Sequence, residues 1–273
     1  MVASGNRDLI AASLAGRGSR SRGIFLSARV KFRSSSAASS KARRGLRLWG
    51  ALTVLAAAAT LAAAQAPPAP AARFVVVLDA AHGGDDPGGR LSGSQTEKAF
   101  TLALSVRLRS LLAARGISVV TTRESDATID SNRRAEIANH AKAQACLSLH
   151  ATESGSGIHL FASSLAPAQA VRISTWKTAQ AGWVTRSLSL AGVLNSALLH
   201  AGMTVTLGRT ALSSIDSMSC PAVAIEIAPE IASQNAPPVS PSDSGYQTRV
   251  VQALAAAILE WRSNASRTEA AHP

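Results

Sequence analysis

Between Phe74 and Trp261 the hydrophobic positions change period several times. FVVVL, from Phe74 to Leu78, is a continuous apolar run of the kind a strand covered on both faces requires, and Asp79, Gly83 and Gly84 end it. The next segment places Phe100, Leu104, Leu108, Leu111 and Leu112 on one helical face, with Thr96 in position to cap and Gly116 to close. ISVVTTR predicts a second strand. Asp130 to Lys142 predicts a helix with Ile137 and Ala138 inward, and Ala145 to Leu149 a third strand that ends at His150. Gly157 to Phe161 predicts a short strand, Ser187 to Ala201 a helix, Ala222 to Ile227 a last buried strand, and Gly245 to Trp261 a closing amphipathic helix. Pro229, Pro237, Pro238 and Pro241 make residues 228–244 a long loop directly after Glu226. No internal repeat is visible. This alternation predicts an α/β fold: a single domain with a largely parallel twisted sheet flanked by helices.

Charge divides the chain differently. Residues 1–47 hold eleven of the 28 Lys and Arg and one acid, so they carry ten of the twelve net positive charges. The rest of the chain is nearly balanced, which removes nucleic acid as the expected partner of the folded part. Residues 1–47 read as a disordered basic leader. Residues 48–66, LWGALTVLAAAATLAAAQA, are uncharged and follow Arg43, Arg44 and Arg47, the order of a signal peptide h-region; left uncleaved, the run is long enough to anchor the protein in a membrane. Residues 67–72 form a stiff Pro/Ala linker, 73–262 the folded domain and 263–273 a disordered tail. The expected location is secreted or periplasmic, with membrane contact only through the N-terminal segment if it is retained. Cys146 and Cys220 can pair in an oxidising compartment, but both fit as small buried hydrophobes and are expected to be unpaired.

Ligands of open α/β sheets gather where the carboxyl ends of the strands converge. His82, His150 and Glu226 each fall at or near such an end, and Glu97 opens a helix in the first βα loop. Two imidazoles and a carboxylate leave a zinc ion one open position. Taken singly, His150 is an ordinary polar residue after a strand and Glu97 a first-turn acid that favours the helix dipole. Glu226 is different: a carboxylate inside AVAIEIA is costly to bury without a cation, a metal or a catalytic task. Glu153 and His159 read as a loop acid and a strand-surface histidine near the cleft. Asp79, Asp85 and Asp86 read either as residues that support the ligands from behind or as turn residues, with the turn reading preferred. Trp176 and Trp183 form either a cleft wall, a core contact or a loop anchor.

Taken together, the fragments VVLDAAHGGDDPG, TEKAFTLALSVRLRSLLAARGISVVTTR, RAEIAN, CLSLHA, GIHLF and PAVAIEI follow one another as in a known family. In content and order they resemble the zinc-dependent N-acetylmuramoyl-L-alanine amidases of the amidase 3 type over most of residues 74–261. The resemblance implies that His82, Glu97 and His150 are zinc ligands, that Glu226 is the catalytic carboxylate, and that peptidoglycan is the substrate. It implies cleavage of the amide between N-acetylmuramic acid and L-alanine of the stem peptide. Arg134 and Asn139 match its pattern and are expected to hold helix or loop structure. The chain departs from the family at Ala80 and Ala81, where Pro-Gly is common, so the turn into His82 must be made differently. It departs again after Glu226, where Ile227, Ala228, Pro229 and Glu230 replace a Gly-Phe-type segment. That second departure motivates the competing expectation, a non-catalytic peptidoglycan-binding or regulatory module on the same fold.

Overall fold

The computed structural model describes residues 73–167, 175–231 and 237–270. The leader, the apolar run and the linker lie outside them, and with them the expectations of disorder, cleavage or anchoring. Among the described residues six strands, β1 (Val75–Ala80), β2 (Ser118–Thr121), β3 (Ala145–Ala151), β4 (Ile158–Ser163), β5 (Val205–Thr210) and β6 (Ala222–Ile227), form one sheet in the order β2-β1-β3-β6-β4-β5. Pairings are parallel except between β4 and β6. The exception follows from chain length, because residues 152–157 between β3 and β4 are too few for a crossover, which takes a dozen or more. The helices are α1 (Glu97–Ala113), α2 (Ser131–Ala141), α3 (Val184–His200), α4 (Ser213–Asp216) and α5 (Ser244–Ala270).

Alternation along the strands sorts the core into two layers. Val76, Leu78, Leu147, Leu149, Val223 and Ile225 point to one face, where Phe100, Leu104 and Leu108 of α1, Leu190 and Leu194 of α3 and Val250, Leu254 and Ile258 of α5 cover them. Val77, Cys146, Ala222 and Ala224 point to the other, where Ala135 and Ala138 of α2, Ile215 of α4 and the loop residues Ala143 and Met218 pack against them. The second layer is thin.

Several expectations change in detail. Thr96 occupies the N-cap of α1 but its side chain makes no capping bond, whereas Asp130 caps α2 by accepting from the Arg133 amide. Ile137 is half-buried and Ala138 fully buried. The expected tail is helical to Ala270, since no Gly or Pro interrupts it, and the Ser263 and Ser266 hydroxyls bond back to the carbonyls of Leu259 and Arg262. Cys146 and Cys220 are joined in a disulfide with Cα atoms 6.3 Å apart, so the expectation of free thiols is wrong. Both are buried small residues as read, but β3 and β6 are sheet neighbours and bring them together.

The segment after Glu226 is firmly held. Ala228 N–H donates to Gly157 O, Gly157 N–H donates to Pro229 O, and the buried Tyr246 hydroxyl donates to Ala228 O at 3.0 Å. Burial raises the Tyr246 pKa far above that of a free phenol. Tyr246→Phe leaves that carbonyl without its partner and is expected to cost about 1–2 kcal/mol in urea unfolding. An unchanged midpoint would show that the hydroxyl does not hold the loop.

Candidate metal centre at the carboxyl edge

His82 sits two residues beyond β1 with φ 59°, an uncommon conformation for a residue with a side chain. Two buried arginines hold it there. Arg134 donates to the carbonyls of Ala80 at 2.6 Å and His82 at 2.7 Å, and pairs with the buried Asp79 carboxylate at 2.7 Å. Arg123 donates to Ala80 O and Ala81 O. Three successive carbonyls are therefore satisfied by guanidinium groups, and this is how the chain turns without the family's Pro-Gly.

Glu97, the first residue of α1, reaches over the carboxyl edge of the sheet. Its Oε2 accepts from Gly89 N–H at 2.9 Å and its Oε1 from Ala151 N–H at 3.2 Å, while its own N–H donates to Gly89 O. Burial by itself would raise its pKa, but hydrogen bonds from His150, Gly89 and Ala151 and the nearby His82 outweigh it and hold the carboxyl below the usual range. His150 is the penultimate residue of β3, a strand that continues one residue past the histidine expected to end it.

Among the described residues, His82, Glu97 and His150 bring one donor atom each within 4.8 Å of one another. His82 Nε2 lies 3.1 Å from Glu97 Oε2, and His150 Nδ1 lies 3.1 Å from Glu97 Oε1. Tetrahedral zinc ligands at about 2.0–2.1 Å from the ion lie roughly 3.4 Å from one another, so the donor set and spacing fit. Gly88 completes the cradle. With φ 63°, a Cβ there would stand 2.6 Å from His82 Cδ2 and 2.7 Å from Glu97 Oε2.

Asp86 is the residue that turn chemistry alone misassigns. Its Oδ1 does accept from Gly88 N–H as a turn residue would, but its Oδ2 lies 2.7 Å from His82 Nδ1. The hydrogen bond with His82 keeps the Asp86 carboxyl below its ordinary pKa, with Gly88 N–H assisting. The available signal was the i, i+4 spacing after a candidate ligand. Asp79 is not a turn residue either: besides Arg134 it accepts from Thr122 and Ser148 in the sheet below the cluster. Asp85 is an exposed loop residue.

Glu226 is the penultimate residue of β6, in register with His150 on one side and His159 on the other. Residues in register on adjacent strands project to the same face about 5 Å apart. Glu226 is half-buried and, among the described residues, its side chain makes no hydrogen bond or ion pair, so the expectation of full burial is corrected. By alternation it lies on the same face as Ala222 and Ala224, in the second layer. His159 contacts the Thr206 hydroxyl and stacks on Phe161. Glu153 accepts from Ser92 N–H and from the Ser92 and Ser240 hydroxyls, clipping three loops together beside the edge. Asn139 bonds to Ser217 O and Ser219 N and orders the approach to Cys220. His140 and His200 bond to carbonyls within their own helices.

A family model described as N-acetylmuramoyl-L-alanine amidase, of the amidase 3 type, matches residues 76–260. The germination-specific N-acetylmuramoyl-L-alanine amidase of Bacillus subtilis is 33% identical over 90 residues, 28% of this chain and 38% of that protein. AmiA of Escherichia coli is 40% identical over 77 residues, 28% of this chain and 27% of that protein. The chain thus matches only about a third of the length of these curated relatives. The solved catalytic domain of the amidase CwlV from Bacillus (Paenibacillus) polymyxa superposes with a TM-score of 0.53 at 25% identity, covering 70% of this chain and 98% of that one. The amidase Ami1 of Mycobacterium smegmatis gives 0.55 at 19% identity over 70% of this chain and 97% of that one, a likeness of fold.

Proposed function

The chain belongs to the amidase 3 family of N-acetylmuramoyl-L-alanine amidases, and from that premise we propose that it is a zinc-dependent peptidoglycan hydrolase. The bond cleaved is the amide between N-acetylmuramic acid and L-alanine of the stem peptide. One observation carries the reading: a triangle of two imidazoles and a carboxylate lies at the carboxyl edge, with an unpartnered glutamate in register beside it.

His82, Glu97 and His150 would hold the ion. When bound, zinc supplies Lewis-acid polarisation of the amide carbonyl and lowers the pKa of water toward about 7. Asp86 accepts the Nδ1 proton of His82, which fixes the tautomer and leaves the Nε2 lone pair directed at the cluster. Gly89 and Ala151 hold both oxygens of Glu97 in place. Glu226, with no internal partner to compete for it, takes the proton of the attacking water and delivers it to the leaving amine. The Cys146–Cys220 disulfide supports an extracytoplasmic setting, since such bonds persist in oxidising compartments.

The test uses purified chain, zinc and intact peptidoglycan. About one zinc per chain and new free L-alanine amino termini are expected, with His150→Ala losing both. Peptidoglycan binding without any release would overturn the reading in favour of a non-catalytic module. Asp86→Ala is expected to weaken zinc binding about 10- to 100-fold in a chelator competition, with the fold intact because its side chain is largely exposed. Wild-type affinity in that variant would remove Asp86 from the site.

A further inference from the structure

At the end of the sheet opposite the metal cluster, where β3 and β6 begin, the surface opens into a cavity of about 920 Å³. Trp183, Arg186, Lys142, Gln144, Pro221 and Trp261 line it. The Arg186 guanidinium lies over both indole rings, 5.9 Å from each centre. Trp261 Nε1 donates to Gln144 O at 2.9 Å, and the Gln144 side chain accepts from Val75 N–H, so this aromatic wall is fixed to the sheet. Among the described residues neither Arg186 nor Lys142 has a carboxylate partner, and no acid lines the cavity. Both side chains are exposed. A cavity of this size with an apolar wall and two uncompensated cations is complementary to an anion that carries an apolar body.

We propose that this cavity is a headgroup site for an acidic phospholipid, the phosphate meeting Arg186 and Lys142 and the glycerol and first methylenes meeting Trp183 and Trp261. Three observations select a lipid. Tryptophan beside Arg and Lys is the side-chain set found at membrane–water interfaces. The same end carries further cations, with Arg262 Nη1 donating to the carbonyl of Arg115 just before β2. β1 begins at this end immediately after the exposed Arg73, so the chain that leads back to the apolar run of residues 48–66 departs from here. A headgroup bound at this end leaves the carboxyl edge of the sheet facing away from the bilayer. The inference does not depend on zinc or on turnover, and its test uses the metal-free protein.

The full chain, stripped of metal, is titrated with dihexanoyl-phosphatidylglycerol below its micelle concentration while the indole N–H signals of Trp183 and Trp261 are followed by NMR. Saturable shifts of both are expected, with none from dihexanoyl-phosphatidylcholine. Arg186→Ala should weaken the response about tenfold with an unchanged melting temperature, and Arg186→Lys should restore part of it. In a second arm, Arg186→Ala/Lys142→Ala should sediment several-fold less with phosphatidylglycerol vesicles than wild type, the leader being common to both. No indole shift, an equal shift from the choline lipid, or equal sedimentation of the double variant would overturn the proposal. An equal indole response to inorganic phosphate or to free stem peptide would overturn it as well, by making the cavity a general anion or wall-peptide site.

Discussion

Replacing Glu226 by Gln is expected to lower kcat for stem-peptide release by about 10²–10⁴-fold while zinc content stays at the wild-type level. The expectation follows from how Glu226 is placed. The three candidate ligands are tied to one another and to backbone amides, whereas the Glu226 carboxylate makes no bond among the described residues. Removing its charge breaks nothing in the fold, and because the group is half-buried its neutral replacement should leave the melting temperature unchanged or slightly higher. The isosteric amide keeps the shape but cannot accept and return a proton. A variant that retains zinc, fold and turnover would sink the general acid–base role. A variant that loses zinc would mean that Glu226 is a ligand.

The second large effect is on stability. Cys146 and Cys220 are separated by 74 positions and join the amino ends of two neighbouring central strands. Closing a loop of that size restricts the unfolded chain by about 4 kcal/mol. Cys146→Ala/Cys220→Ala, or reduction with a thiol, is therefore expected to lower the melting temperature by about 10 °C for a domain of this size. Free cysteines placed singly would add a reactive thiol, so the double variant is the cleaner measurement. Zinc affinity should hardly change, because the bond lies at the opposite end of the strands from His82 and His150. A melting temperature unaffected by reduction would show that the bond does not form in solution.

Much of this was legible in the chain. The apolar run before His82, the helical spacing from Phe100 to Leu112 and the run before Glu226 all mark buried faces whose period is local, and each lies where read. β5 has no signature in the sequence, because it is an edge strand with an exposed outer face, Leu207 being 57% accessible, and its residues show no clear alternation. α4 is a single turn, too short to produce a helical period. The direction of β4 is implicit in the short link after β3, which leaves no room for a crossover.

The four site residues were candidates from strand-end placement and family order, and the folded chain brings three of them within 4.8 Å of one another. The partners that hold them were not legible. Asp86 reads equally well as a turn residue, and Arg123 and Arg134 meet Ala80, Ala81 and His82 only because β2 and α2 pack beside β1.

By itself, then, the sequence determined the order and type of the main elements, the α/β class, the concentration of charge in residues 1–47 and the candidates His82, Glu97, His150 and Glu226. These are properties of neighbouring residues, set by side-chain period and by where an apolar run meets a polar one. Tertiary structure alone decided the cysteine pairing, the left-handed turn at His82, the free carboxylate of Glu226 and the cationic cavity at the far end. Each of those depends on which strands become neighbours and which helices pack beside them. Such choices come from the packing of segments tens of residues apart, and no local pattern encodes them.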